Sequence, residues 1–225
     1  MGGRASGTMA GWEDCAPYGN RPNGIYIPRF RNVKSAHPDF VRGFGMQGGA
    51  SRGHVGADET SGFGVDCKKA LRSYGPWRFG IGGWGECLPN HDNRITLDPD
   101  TKDKWGIPAM RIDCSWGEND IKLVKDAAAS GAEMLEAAGA TEIRTENTPT
   151  QMGLCIHEMG TARMGRDPKT SVLNGWNQAH DVPNLFVTDG AAMASSACQN
   201  PSITYMALTA RAVDHAVKLF NRREV

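Results

Sequence analysis

Apolar positions recur at helical spacing in two stretches of the chain and alternate in several shorter ones. Residues 119–138 place Ile121, Val124, Ala128, Leu135 and Ala138 on one face, and Gly139 is positioned to stop the helix. A second helix is expected over 201–221. Asn200 fits its N-cap, Pro201 its first turn, and Ile203, Ala207, Ala210, Val213, Val217 and Phe220 form the stripe expected to be buried. Lys218, Arg222 and Arg223 fall in or just after its last turn, where cations complement the helix dipole.

The shorter segments read as strands. Gly24–Phe30 alternates at Ile25 and Ile27 and is cut by Pro28, as an edge or broken strand would be. Arg94–Leu97 and Ala109–Trp116 flank the polar run DPDTKDKWGIP, which predicts two antiparallel strands joined by a long hairpin loop. Asn184–Gly190 is a short apolar strand running into Asp189-Gly190. The rest of residues 1–85 breaks into short extended pieces and loops. The opening MGGRASGTMAGWED reads as a glycine- and serine-rich loop, which suggests that the chain begins inside a longer fold. The pattern predicts an α+β chain. An antiparallel sheet carrying 94–97 and 109–114 packs under helix 119–138, and strand 185–188 forms a separate layer with helix 201–221.

Composition narrows the function classes. Lys plus Arg and Asp plus Glu each number 25, so no basic excess points to nucleic acid. No apolar run is long enough for a transmembrane helix. The N-terminus lacks the apolar segment of a signal peptide, so a cytoplasmic or periplasmic location is expected. The cysteines at 15, 67, 87, 114, 155 and 198 make no CxxC and no zinc spacing, so no metal site is assigned. They read as buried thiols in a reducing compartment.

GFGMQG at 43–48 matches GxGxxG, but no helical period follows it, so it reads as a glycine-rich loop and not as a dinucleotide fingerprint. His157-Glu158 fails as a zincin because Thr161 stands where a second histidine is needed, and GxSxG and P-loop motifs are missing. Taken alone, His157 reads as a hydrogen-bonded, half-buried histidine. Asp189-Gly190 alone is a strand-end turn, and Asn200 alone is a helix cap.

In order, however, HxxGTxRMG at 157–165, VPNLFVTDG at 182–190 and NPSITYMALTARA at 200–212 resemble the C-terminal region of glucose–methanol–choline (GMC) flavin oxidoreductases. The resemblance runs from about Leu88 to the end. LDPDTKDKWGIPAMRI is similar to a hairpin of that family. GNRPNGIYIPRFRN is similar to bacterial sugar-oxidising members such as the large subunits of glucoside 3-dehydrogenases. The resemblance implies a substrate-binding domain over 1–160. It also implies that 161–225 is the C-terminal strand and helix of a Rossmann-like FAD domain whose N-terminal βαβ unit is absent. FAD is the implied cofactor, an alcohol or sugar the implied substrate, and a small or electron-transfer subunit a possible partner. By position, His157 matches the catalytic histidine and Asn200 the second catalytic residue. Asp189 and Gly190 match the flavin-contacting segment, and Pro201 and Ser202 the helix start beside the flavin ring.

The implied chemistry uses these residue types. Histidine titrates near neutrality and takes the hydroxyl proton, while flavin N5 takes the hydride. An Asn200 amide holds the substrate oxygen, and the N-terminus of the helix stabilises charge gathered on the reduced ring. The competing implication is a non-catalytic truncated or split-gene chain that needs a separate FAD-binding half. A plain carbohydrate-binding module is a third, and it would leave His157 and Asn200 without a shared site.

Overall fold

The computed structural model describes residues 2–12, 24–60, 62–153 and 157–224. They form a mixed α/β arrangement whose two sheets are antiparallel, divided between two compact units: Met1–Gly85 with Glu118–Pro149, and Glu86–Gly117 with Thr150–Val225.

The first unit is a five-stranded sheet covered on one face by a helix. Strands β1 (Gly2–Met9), β2 (Ile25–Phe30), β3 (Phe44–Ser51), β4 (Trp77–Gly85) and β7 (Thr141–Glu146) lie in the order β2-β3-β4-β1-β7. A short helix α1 (Val65–Arg72) precedes β4, and α2 (Glu118–Ala137) precedes β7. The opening segment, expected as a loop, is therefore an inner strand. Its alternation was present but written in small residues: Gly3, Ala5, Gly7 and Met9 are buried while Arg4 and Ser6 are exposed. GFGMQG, also expected as a loop, enters β3, which pairs with β2 and β4 and opens no helix. β2 is an edge strand, and its register shifts between Ile27 and Phe30 around Pro28, as expected of a proline with no N–H to give the ladder.

Helix α2 lies on the buried face of β1 and β4. Leu123, Val124, Ala127, Ala128 and Leu135 are buried, and Leu123, Ala127 and Leu135 join Ala5, Phe44, Met46, Trp77 and Ile81 in one core cluster. Full burial of a Leu side chain such as Leu123 contributes about 1.5–3 kcal/mol. The expected packing on 94–97 and 109–114 is thus replaced by packing on β1 and β4, because the helix surface is matched to glycines there. A Cβ at Gly3 would stand 2.1 Å from the Val124 carbonyl oxygen. Ala138, expected on the buried face, is exposed because the helix has already ended. Gly139 takes φ +85°, its N–H bonds to Glu136 O and that of Ala140 to Leu135 O, the paired bonds of a Schellman stop.

The second unit holds the hairpin β5 (Arg94–Lys102) and β6 (Pro108–Asp113), a loop-built core, and helix α3 (Ser202–Arg222). The hairpin loop is shorter than the sequence suggested. Asp103 Oδ1 accepts from the N–H groups of Trp105 and Ile107 and closes it. Ile95 opposite Ile112 and Leu97 opposite Met110 line one face of the hairpin, and all four are exposed. Leu173, Ala179 and Ala192 are the centre of the small core. The strand expected at 185–188 is reduced to one bridge, Phe186 to Gln178. Its remaining hydrogen bonds go to turns, with Val187 N–H on Asn177 O.

Two expectations for α3 are corrected. Its cap is Pro201, whose carbonyl takes the first bonds from Thr204 at 2.9 Å and Tyr205 at 3.1 Å. A residue before proline is driven to extended backbone, so Asn200 stands one step outside the helix and makes no cap bond. The apolar stripe also faces outward: Ile203 is 78% and Phe220 71% exposed, with Met206, Val213 and Val217 exposed beside them. The inward face carries Tyr205, Leu208, Ala212, His215 and Leu219. Polar and aromatic contacts seat that face. Arg211 donates to Asn177 Oδ1 at 3.1 Å, and the His215 and Trp176 rings stack at 4.6 Å.

Cys67, Cys87 and Cys198 are half-buried and Cys114 is exposed, not buried as expected; Cys15 and Cys155 lie outside the described residues. Among the described residues no helix is long and apolar enough to cross a membrane.

Candidate active site

Three pieces of the second unit converge. The segment His157–Met164 runs beside the short turn Gly190–Ala192. The N–H groups of Gly160, Ala162 and Met164 donate in step to the carbonyls of Gly190, Ala191 and Ala192, at 3.3, 3.0 and 2.9 Å. Asp189 starts that turn, and its Oδ1 accepts from Ala191 N–H at 2.9 Å, so the side chain has a capping role. Gly190 is where the pieces touch. A Cβ there would lie 2.8 Å from Glu158 O and 3.0 Å from the Tyr205 hydroxyl, so any side chain would push the His157 segment and the first turn of α3 away.

At the start of α3, Pro201 is buried while Asn200 and Ser202 are exposed. Among the described residues, no carbonyl accepts from the backbone N–H groups of Ser202 and Ile203, which leaves two donors at the positive end of a six-turn helix. His157 is half-buried. Among the described residues neither its ring nor the Asn200 amide is hydrogen-bonded, and no bond joins the two. The structure therefore brings the His157 segment, Asp189, Gly190 and the beginning of α3 together, with His157 and Asn200 both uncommitted.

Three residues that sequence reasoning passed over hold this arrangement. Asn177 is fully buried with φ +63°; its amide donates to Val187 O and its oxygen accepts from Arg211. That ties the chain leading into Asp189 to α3. Tyr205 backs Gly190. Burial, then the charges of Asp189 and Glu158, hold its phenol above the ordinary tyrosine value. Glu86, also buried, accepts from the Ser195 hydroxyl in the segment leading to Asn200. No local pattern marks these roles, since each depends on a partner at least ten residues away.

The GMC oxidoreductase family model matches residues 89–209, more than half of the chain and a span containing every residue named at this site except Glu86 and Arg211. The chain belongs to the GMC oxidoreductase family. Similar proteins include a 2-methyl-1,2-propanediol dehydrogenase of Mycolicibacterium austroafricanum, 38% identical over 81% of this chain and 34% of that protein. They also include a fructose dehydrogenase large subunit of Gluconobacter japonicus, 38% identical over 57% of this chain and 23% of that protein. A gluconate 2-dehydrogenase flavoprotein of Pantoea cypripedii is 32% identical over 52% and 20%. The chain spans about a third or less of the length of these GMC relatives. The similarity to the first extends well beyond the family match, into residues before 89. These relatives are dehydrogenases named for a diol, a sugar and a sugar acid, and one of them is named a flavoprotein.

Proposed function

We propose that this chain is the substrate-binding part and C-terminal flavin-facing segment of an FAD-dependent enzyme that oxidises an alcohol CH–OH group, of a sugar or glycoside. Residues 1–160 carry the substrate-binding domain and 161–225 the C-terminal segment of a Rossmann-like FAD-binding domain. The observation that supports this most is the closure of the His157 segment on the Asp189–Ala192 turn and the start of α3, inside the stretch that matches the family.

FAD, when bound, supplies at N5 the acceptor for the hydride and its electron pair. The chain's own residues do the rest. His157 takes the hydroxyl proton, so the C–H and O–H bonds break and a carbonyl forms. Asn200, which among the described residues neither caps the helix nor bonds elsewhere, donates to and orients the reacting oxygen. The free N–H groups of Ser202 and Ile203, after buried Pro201, fit the acceptor edge of a flavin ring. Asp189 and Gly190 shape the turn that borders the ring. As in the relative named a large subunit, a small or electron-transfer subunit is a fitting partner for reoxidation.

A second reading is a split or truncated chain that needs a separate FAD-binding half. It is favoured by the antiparallel pairing of both sheets, which leaves the described residues without a strand–glycine turn–helix unit for the ADP moiety. The visible spectrum of the purified chain after FAD addition and gel filtration separates the two. Flavin retained at one per chain supports cofactor binding by this chain itself. A colourless chain that gains flavin and dye-linked alcohol oxidation only with the dinucleotide-binding half supports the second. Failure in both sinks the flavin reading. In the flavin-loaded form His157→Ala should lower kcat by about 10²–10⁴-fold, the usual worth of a positioned general base; near-normal turnover would return His157 to a structural role.

A further inference from the structure

We propose that Glu86 is a positioning residue for the oxidation: through the Ser195 hydroxyl its carboxylate fixes the segment that carries Asn200, and so sets where the Asn200 amide meets the reacting oxygen. The proposal rests on the alcohol-oxidising reading above and adds to it a group that does not itself touch the substrate.

Residues 193–200 join the Gly190–Ala192 turn to α3. The first of them is tied down, since Met193 N–H donates to Gly190 O at 3.1 Å. Over 194–197 the backbone then pairs with no other backbone group among the described residues. Ser196 Oγ donates to Ala197 O at 2.9 Å, a bond to the next residue that shapes the chain locally and attaches it to nothing else. The bond from Ser195 Oγ to Glu86 is of another kind. It spans 109 positions of the chain, with both partners in the second unit. Ala194, Ser195, Ala197 and Asn200 are exposed, whereas Glu86 is only 8% exposed. A surface strap is thus pinned to a buried anchor.

The residue types suit that task. A carboxylate only accepts, and a hydroxyl turns its proton toward it, so the direction of the bond is settled and its charge makes it stronger than a bond between neutral groups. Burying a carboxylate is costly unless donors compensate it, so its use in place of a neutral group marks a position where a strong, directed bond matters. Asn200 is held from its other side as well. Pro201 is buried at the start of α3, and a residue before proline is restricted to extended backbone. What remains to be fixed is the path by which the chain arrives at Asn200. The Glu86 bond fixes that path at Ser195, five residues ahead.

Two measurements test this. The first needs no flavin and no turnover, so its failure is distinct from failure of the oxidoreductase reading. The side-chain amide resonance of Asn200 in the 225-residue chain, assigned by its loss in Asn200→Asp, reports where that group sits. Ser195→Ala and Glu86→Ala break the same bond and should move the resonance alike. Glu86→Gln keeps an acceptor oxygen for the hydroxyl and should leave it near its parent position. The second measurement is a double-mutant cycle in the flavin-loaded form. Ser195→Ala should lower kcat about tenfold, less than the roughly 10²-fold that a full misplacement of a positioned group costs. KM should stay within about twofold, because the lost interaction belongs to the transition state. In an Asn200→Ala background the same substitution should change kcat little, since nothing is left to position. A bond that merely supports the fold would lower kcat equally in both backgrounds. Should Glu86→Ala fail to fold, Ser195→Ala, which removes one hydroxyl from an exposed residue, carries both measurements. An Asn200 resonance unmoved in Ser195→Ala, or equal losses of kcat in the two backgrounds, overturns the proposal.

Discussion

At the scale of single residues, Asn200 and Tyr205 give the sharpest tests. A capping asparagine replaced by alanine costs about 0.5–2 kcal/mol, but Asn200 lies outside the helix and makes no such bond. Asn200→Ala should therefore leave the unfolding free energy within about 0.5 kcal/mol of the parent, as for an ordinary surface change. Its effect should appear in kcat of the flavin-loaded form. A large loss of stability in a denaturant titration would restore the capping role and weaken the catalytic one. Tyr205 contributes to stability on the alkaline side. Its phenol is held above the ordinary tyrosine value by burial first, then by Asp189 and Glu158. The folded chain thus keeps that proton more tightly than the unfolded chain does. The resulting stability is complete below the ordinary tyrosine range, about pH 10, and is lost as pH rises through the folded value. Melting temperatures from neutral to strongly alkaline pH should fall less steeply for Tyr205→Phe than for the parent. Parallel curves would show that Tyr205 carries no such linkage.

At the scale of elements, the contact of α2 with β1 depends on one glycine. A Cβ at position 3 would meet the Val124 carbonyl at 2.1 Å, a backbone atom with no rotamer to escape into. Gly3→Ala should cost about 1–3 kcal/mol, the range for overpacking a core. Gly53→Ala, where an added Cβ meets nothing within 4 Å, should be nearly neutral. Urea unfolding of the two variants provides the comparison, and similar midpoints would mean that the helix does not seat on β1 as described. The same element shows why some of the fold was legible in sequence and some was not. Helix α2 carries its buried face in Val124, Ala128 and Leu135, so periodicity finds it, and Gly139 announces its end. β1 and β3 carry theirs partly in glycine and alanine, which have too little side chain to register as apolar alternation. The segments of the candidate site that meet in the structure were legible because they follow one another along the chain in a recognisable order. Asn177 and Glu86 were not, since their roles exist only once distant segments meet.

At the scale of the whole molecule, the helix whose period was clearest is turned the other way. The stripe Ile203, Met206, Val213, Val217, Phe220 has the spacing of a core face, yet it stands in solvent, and the apolar face of the β5–β6 hairpin does too. The inward face of α3 is seated by an arginine hydrogen bond and a histidine–tryptophan stack, so the helix is fixed without using its apolar stripe. Contiguous exposed apolar surface of more than a few hundred Å² marks an interface or drives association. In a family whose members named above are about two and a half times as long as this chain, the cover that the proposed function implies is a dinucleotide-binding half. Light scattering of the chain alone should give an apparent mass that rises with concentration. The double substitution Val213→Ser with Phe220→Ser should reduce that rise, and mixing the parent chain with the dinucleotide-binding half should abolish it in a one-to-one complex. The same double variant should bind that half at least about tenfold more weakly, since each large apolar side chain withdrawn from an interface forfeits roughly 1.5–3 kcal/mol. A parent chain that stays monomeric at every concentration and ignores the added half would mean that the outward stripe is simply tolerated, and the argument for a missing partner on α3 would fail with it.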